Sequence, residues 1–317
     1  MNDTDQNQAR IVTLTMNPSV DVSSGCEHVK PEVKLRCTRP RYEPGGGGIN
    51  VSRALRKLGR ESLACYPVGG PGGTRLQGLL EDEKVASEGI AVEGETRENL
   101  TVSEASGDQQ YRFTMPGPEL SESEQRECVA RIWAEGRKPE YVIASGSLPP
   151  GVPDDFLGRL TERAQEEGAR VIVDTSGEPL KKAVESGVYL IKPNMREVQS
   201  LSEKGIEDET ELRRLGDELI ARCKCQAIVV SLGAGGALLI TGDTQRHYKS
   251  PTVPIRSKVG AGDSMMAGIV YGLTEGQDIE EAVRYGVAAG AAAVMTPGSE
   301  LCRREDTLRL LKQVETG

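Results

Sequence analysis

An α/β fold with a mostly parallel central sheet is predicted by three observations. Short β-branched runs alternate with amphipathic stretches over most of the 317 residues, the pattern of strands linked by crossover helices. The length suits one large domain with a small appendage, or two modest domains, and is ample for a buried core. Two regions, 20–42 and 97–115, break the alternation with β-like segments that have polar faces and no helix between them.

In chain order, residues 1–10 are polar and lack an apolar stretch, so they read as a frayed tail and not as a signal peptide. A first strand is expected at 11–15. A helix follows at 49–58, with apolar spacing at Val51, Leu55 and Leu58. Further strands are expected at 63–68, 141–144, 171–174, 189–191 and 228–232, with helices at 156–167 and 211–223. Runs 100–105 and 110–114, joined by Ser106-Gly107-Asp108-Gln109, read as a hairpin. Antiparallel pieces of this kind make a lid, an oligomer contact or an edge extension. After Asp263 the chain reads as wholly helical, over 262–273, 279–296 and 304–314. Parallel sheets carry ligands at the carboxyl ends of their strands. The loops after Ala144, Asp174, Ile191 and Leu232 are therefore the places to search.

Composition removes several function classes. With 39 basic and 48 acidic residues the net charge is −9, which argues against a nucleic-acid-binding surface. No apolar run approaches the roughly 20 residues that span a bilayer, and a soluble cytoplasmic protein is expected. Seven cysteines are scattered without a C-x-x-C pair, and the histidines are His28 and His247. Zinc and histidine-based nucleophilic machinery are disfavoured. Acid–base work falls to carboxylates or lysines.

The most informative run is Val259-Gly260-Ala261-Gly262-Asp263-Ser264, leading into an apolar helix. Amides at a helix start lack intrahelical partners and attract anions, and glycines let a bulky anion approach them. A carboxylate beside such a hole suggests phosphoryl transfer to an alcohol, with Asp263 as base; a plain N-cap is the competing explanation. Gly45-Gly46-Gly47-Gly48 before Ile49-Asn50-Val51 is placed to bind a polyhydroxy ligand, with Asn50 supplying an amide. Asp21 follows the first strand as an acceptor for hydroxyls, or as a solvated turn carboxylate. In Lys192-Pro193-Asn194-Met195-Arg196-Glu197, Asn194 and Glu197 suit a water-rich Mg2+ site or a capping box. Glycines 233, 235 and 236 follow a buried strand but precede a strand at 238–240, against a dinucleotide fingerprint. The lysine-bearing phosphate loop is absent. Small residues over 287–293 allow close approach by a neighbouring helix or a planar ligand.

The glycine quartet with Ile49-Asn50-Val51, the segment Ser145-Gly146-Ser147-Leu148-Pro149-Pro150-Gly151, Lys192-Pro193-Asn194-x-x-Glu197 and Gly260-Ala261-Gly262-Asp263 occur in that order. Together they resemble the PfkB family of ribokinase-like sugar kinases over residues 11–302. Lys34-Leu35-Arg36-Cys37-Thr38, Glu43-Pro44 with the quartet, and Tyr111-Arg112-Phe113 look most like its ATP-dependent 6-phosphofructokinase branch. Relatives acting on fructose 1-phosphate or tagatose 6-phosphate usually carry lysine where Gly47 stands, and these activities are the alternatives. The resemblance implies one domain over 11–317, a three-layer α/β/α ribokinase-like fold whose β lid (20–42 and 97–115) also pairs two subunits. It implies ATP and magnesium as cofactors and a sugar phosphate as substrate, with no nucleic acid or membrane partner.

By the same resemblance, Asp263 is the catalytic base and Gly260, Ala261 and Gly262 the anion hole. Asp21, Gly46, Gly47, Asn50 and Ser147 hold the sugar; Lys34, Arg36 and Arg97 meet its 6-phosphate, one of them from the partner subunit. Lys192, Asn194, Ser231, Gly233 and Gly236 serve the nucleotide, and Glu197 with Asn194 the metal. Lys258 departs from the family, which usually has threonine there. With Pro297 and Glu300 in the loop 296–301 that binds a monovalent cation in some relatives, a need for potassium (K+) stays open.

Overall fold

The computed structural model describes residues 10–107, 109–202, 205–206, 208–222 and 225–317. Most of the expected tail, Asp108 of the hairpin turn and Cys223 at the end of a predicted helix lie outside the described residues. The strands are β1 (Ile11–Leu14), β2 (Ser19–Cys26), β3 (Arg41–Gly45), β4 (Leu63–Val68), β5 (Ser87–Ala91), β6 (Arg97–Glu104) and β7 (Gln109–Phe113). They continue with β8 (Tyr141–Ser145), β9 (Arg170–Asp174), β10 (Leu190–Ile191), β11 (Ala227–Ser231), β12 (Ala237–Thr241), β13 (Gln245–Lys249) and β14 (Glu315–Thr316). The helices are α1 (Gly47–Leu58), α2 (Gly70–Asp82), α3 (Glu122–Ile132), α4 (Phe156–Glu166), α5 (Glu178–Glu185), α6 (Met195–Leu201) and α7 (Glu209–Arg222). Three more close the chain: α8 (Ala261–Thr274), α9 (Ile279–Val294) and α10 (Arg304–Leu311).

The main sheet runs β14-β13-β12-β11-β10-β9-β8-β1-β4-β5. Every pairing from β11 to β5 is parallel, and β12, β13 and β14 extend it antiparallel. Apolar runs such as Ile11-Val12-Thr13-Leu14 are buried on both faces, as parallel strands between helix layers must be. Alternate residues serve opposite cores. Ile11 and Ile143 pack with Val51 and Leu55 of α1, Met266 of α8 and Val287 of α9. Val12, Val142 and Val171 face the other way, onto Leu160 of α4, Leu180 of α5 and Leu212 of α7. The three-layer α/β/α expectation is met.

A second sheet, β3-β2-β6-β7, forms the lid. The hairpin expected at 100–114 is its β6–β7 pair, and β2 runs parallel to β6. Asp21 lies inside β2, not in a turn. One further expectation needs correction. The region after Asp263 is not wholly helical, because the chain ends by adding β14 to β13. A helix, α2, begins in Gly70-Pro71-Gly72-Gly73, a stretch with the composition of a loop. There proline occupies the first turn, where its missing N–H costs nothing.

Candidate active site

Gly260 caps α8 with φ 72°, a left-handed value that would strain a side chain. A Cβ there would also strike Leu301. Ala261, Gly262 and Asp263 are thus the first three helical residues, and their amides have no carbonyl within the helix. Asp263 makes no side-chain cap. Its Oδ2 accepts instead from Asn50 Nδ2 at 2.9 Å. Burial, reinforced by repulsion from Asp174, pushes the Asp263 carboxyl up to about 6. The Asn50 hydrogen bond and the charges of Lys192 and Arg53 pull the other way and keep it from rising further. A carboxylate poised near neutrality is suited to general-base work.

Asn50 comes from the first turn of α1, whose start is packed against strand ends. A Cβ on Gly47 would lie 2.8 Å from the Ser145 carbonyl carbon and 2.9 Å from the Gly146 nitrogen, so the two loops touch backbone to backbone. Thr15 Oγ1 accepts from Ile49 N at 2.8 Å and fixes the helix entry. Gly46 is the N-cap. Asp21 projects from the lid, its Oδ1 accepting from Ser19 Oγ at 2.8 Å and from Asn99 Nδ2 at 3.0 Å. Ser147 is exposed at the mouth of the β8 loop and accepts from Asn17 Nδ2 at 3.1 Å.

Three cavities converge on the turn before α8. One of about 200 Å³ joins Asp263 to Gly47, Ser147, Asp174 and Glu197. One of about 460 Å³ lies between Gly233, Gly236, Gly262 and the α9 residues Val287, Gly290 and Ala291. A third, about 490 Å³, separates the polar face of the lid, with Asp21, from Val259 and the loop at Pro297. Among the small residues of α9, Ala289 packs on Gly268 of α8, while Gly290 and Ala291 line the second cavity.

Asp174, at the end of β9, went unrecognised in the sequence, although the loop it opens was a place to search. Its Oδ2 pairs with Lys192 Nζ at 3.0 Å, and both are largely buried. Burial opposes the Lys192 ammonium, yet the Asp174 partnership outweighs it and holds the lysine above its usual pKa. Burial holds Glu197 above the ordinary carboxylate range. Asn194 and Glu197 form a reciprocal capping box on α6: Asn194 Oδ1 accepts from the Arg196 and Glu197 amides, and Glu197 Oε2 accepts from Asn194 N at 2.8 Å. Asn194 also bridges to Ser231, which brings the Lys192–Glu197 segment and the end of β11 together.

The expected phosphate ligands divide. Lys34 and Arg36 stand exposed in the segment before β3 and line none of the three cavities. Arg97 is half-buried and gives one hydrogen of each nitrogen to backbone, at Asn17 O, Pro18 O and Met115 O. Two N–H groups of its five remain. Burial lowers its pKa, against the pull of Asp21. Arg39, Arg41 and Arg256 line the lid cavity and were not anticipated.

Comparison with known proteins fits this geometry. Residues 9–306 match the model of the pfkB family carbohydrate kinases. The chain is 41% identical to the ATP-dependent 6-phosphofructokinase isozyme 2 of Mycobacterium tuberculosis, over 97% of this chain and 91% of that protein. It is 41% identical to the Escherichia coli protein of the same name, over 95% and 97%. A 1-phosphofructokinase of Bacillus subtilis is 32% identical over 96% and 98%. Escherichia coli phosphofructokinase-2 solved with fructose-6-phosphate superposes with a TM-score of 0.90 at 40% identity, covering 96% of this chain and 99% of that one. The same enzyme solved with potassium gives 0.92 at the same identity and coverage. With the Asp263 turn, the glycine quartet and nearly the full length matched, this chain belongs to the PfkB family of carbohydrate kinases.

Proposed function

We propose that this enzyme is an ATP-dependent 6-phosphofructokinase, transferring the γ-phosphoryl group to the 1-hydroxyl of fructose 6-phosphate. The observation that carries the reading is Asp263: a buried carboxylate, its pKa pushed up to about 6, at the mouth of three bare amides, where the cavities meet. Identity to relatives named 6-phosphofructokinase exceeds identity to the 1-phosphofructokinase by 41% to 32%. The contact of Gly47 with the β8 loop supports the same choice, since a lysine has no room there.

The sugar binds under the lid, against Asp21, the quartet, Asn50 and Ser147. As its O1 bonds to the γ-phosphorus, the O1 proton passes to Asp263 Oδ and the bond to the bridging oxygen of ADP breaks. Amides of Ala261, Gly262 and Asp263 hold the charge gathering on the phosphoryl oxygens. Lys192 holds phosphate charge from the nucleotide side, and the purine lies on Gly290 and Ala291. Among the described residues no three acidic, His or Cys side chains make a closed metal cage. A water-rich magnesium site asks for one or two carboxylates. Asp174 and Glu197 fit that demand, and beside them Thr175 Oγ1 is buried without a partner. Bound there, the ion would neutralise the triphosphate.

A homodimer through the lid is part of the reading. Tyr42, Val22, Leu100 and Phe113 stand in register across all four lid strands. Of these, Tyr42, Leu100 and Phe113 are 38%, 37% and 49% exposed, and Val33 and Leu35 are exposed as well. A second copy covers that stripe and lends Lys34 or Arg36 to its neighbour's sugar phosphate. Escherichia coli phosphofructokinase-2 has a tetrameric inhibited form; here the dimer suffices for the site. Lys258, at the rim of the nucleotide cavity, supplies the positive charge that potassium brings elsewhere. No described helix is long and apolar enough to cross a membrane, and Cys26, Cys37, Cys65, Cys128 and Cys302 are free thiols, in keeping with work in the cytoplasm.

Turnover with magnesium-ATP on fructose 6-phosphate, fructose 1-phosphate and tagatose 6-phosphate at matched concentrations tests the assignment. Fructose 6-phosphate is expected to lead in kcat/KM by about tenfold or more. An equal or better rate on either rival overturns it.

A further inference from the structure

Behind Asp263 a row of side chains runs to the surface through residues that line none of the three cavities. Glu83, which ends α2, clasps the Arg53 guanidinium twice: Nη2 donates to Oε1 at 2.6 Å and Nε to Oε2 at 2.7 Å. Arg53 is 2% exposed, deep in α1. Its Nη1 donates to Asn50 Oδ1 at 3.0 Å and to the Pro44 carbonyl at 3.2 Å. Asn50, three residues earlier on the same helix face, then donates from Nδ2 to Asp263.

The chemistry of the row has a direction. A guanidinium offers donors alone, so Asn50 must turn its oxygen toward Arg53. The amide nitrogen is then the end left for Asp263, and the carboxylate receives a hydrogen bond that suits its ionised state. A buried ion pair is a poor source of net stability compared with apolar packing. Four hydrogen bonds from one sequestered side chain, two of them onto the segment that builds the active site, ask for another reason.

We propose that Arg53, braced by Glu83, is a positioning residue for the proton transfer: it locks the Asn50 amide, and the locked amide fixes the Asp263 carboxylate where the acceptor hydroxyl arrives. The inference rests on Asp263 being the base. It adds two residues that touch neither substrate.

A double-mutant cycle on the full enzyme tests it. Arg53→Met should lower kcat about 10- to 100-fold, the scale of a small misplacement of a reacting group, with the KM for ATP unchanged. Arg53→Lys, which keeps a donor-only cation, should fall between wild type and Arg53→Met. In an Asn50→Ala background the same Arg53 change should cost under about threefold, because the amide it acts through is gone. Glu83→Gln, at a partly exposed position, gives the same test if Arg53→Met fails to fold; a loss of about three- to tenfold that vanishes in Asn50→Ala is expected. Losses that multiply with Asn50→Ala, or folded variants within twofold of wild type, overturn the proposal. The cycle is run on whichever ketohexose phosphate the wild type phosphorylates, so rejection of fructose 6-phosphate strikes the substrate assignment alone. Should no acceptor be turned over, the 15N-labelled Asn50 side-chain amide decides the matter: its resonances move in Glu83→Gln if the lock exists and stay if it does not.

Discussion

Replacing Asp263 with asparagine removes the proposed proton acceptor and also relieves the fold of a buried negative charge, so one substitution should harm turnover and help stability. The folded protein holds the Asp263 proton with a pKa of about 6 against 3.8 for the free side chain. A group raised in this way gives its full stability below pH 3.8 and loses it as pH climbs past the folded value. Integrating that gap, the ionised carboxylate destabilises the fold by about 3 kcal/mol at pH 7.5 and by roughly half as much at pH 5. Asparagine keeps the shape and never ionises. Asp263→Asn should therefore raise Tm by up to about 6 °C at pH 7.5, at ~2 °C per kcal/mol for a chain of this size, and by roughly half that at pH 5. Turnover should fall by about 10² to 10⁴. Circular-dichroism melts of the ligand-free protein at both pH values, with kcat from a coupled ADP assay, measure the two effects. A kcat within tenfold of wild type removes Asp263 from the role of base. A Tm gain that is absent, or equal at the two pH values, refutes the buried-charge argument.

Gly47→Ala places a methyl group against the Ser145–Gly146 backbone; it should cost about 1–3 kcal/mol and raise the KM for the sugar phosphate, and a variant indistinguishable in melting and KM would show that the loops have slack. Lys258 has no ion pair among the described residues, so wild type should keep its activity in sodium-only buffer, while Lys258→Thr should become dependent on potassium. Strict potassium dependence of the wild type would dismiss that role. Phe113→Asp, in the exposed lid stripe, should yield monomers by light scattering and raise the KM for the sugar phosphate roughly tenfold, as lost interfacial charge contacts do. A dimer that survives this change must use another surface.

The sheet could be read from the chain because parallel strands buried on both faces leave unbroken apolar runs: β4 was anticipated at both ends, and β1, β8, β9 and β11 within a residue. Composition is a poor guide where glycine and proline serve a helix start, as in α2, and where a polar strand such as β5 or β14 gains its identity from its neighbour. At the site, the glycine-bearing turns were legible since their task belongs to the backbone. Asp174 was not, for an aspartate at a strand end looks like any loop acid until β9 and β10 pair and set it against Lys192. Arg53 lies at helical spacing from Asn50, but its brace Glu83 is 30 residues away, and nothing local announces that partnership. The capping geometry of Asn194 and Glu197 shows two local explanations coexisting: the same box that starts α6 also points Glu197 at the base's cavity.

Val259, Gly262 and Asp263 each border a different hollow, though they belong to one short turn. With the nucleotide and the sugar in separate hollows, as proposed, neither must leave before the other enters. A single displacement is then expected: a chiral thiophosphate donor should emerge with its configuration inverted, and no phosphorylated form of the protein should accumulate.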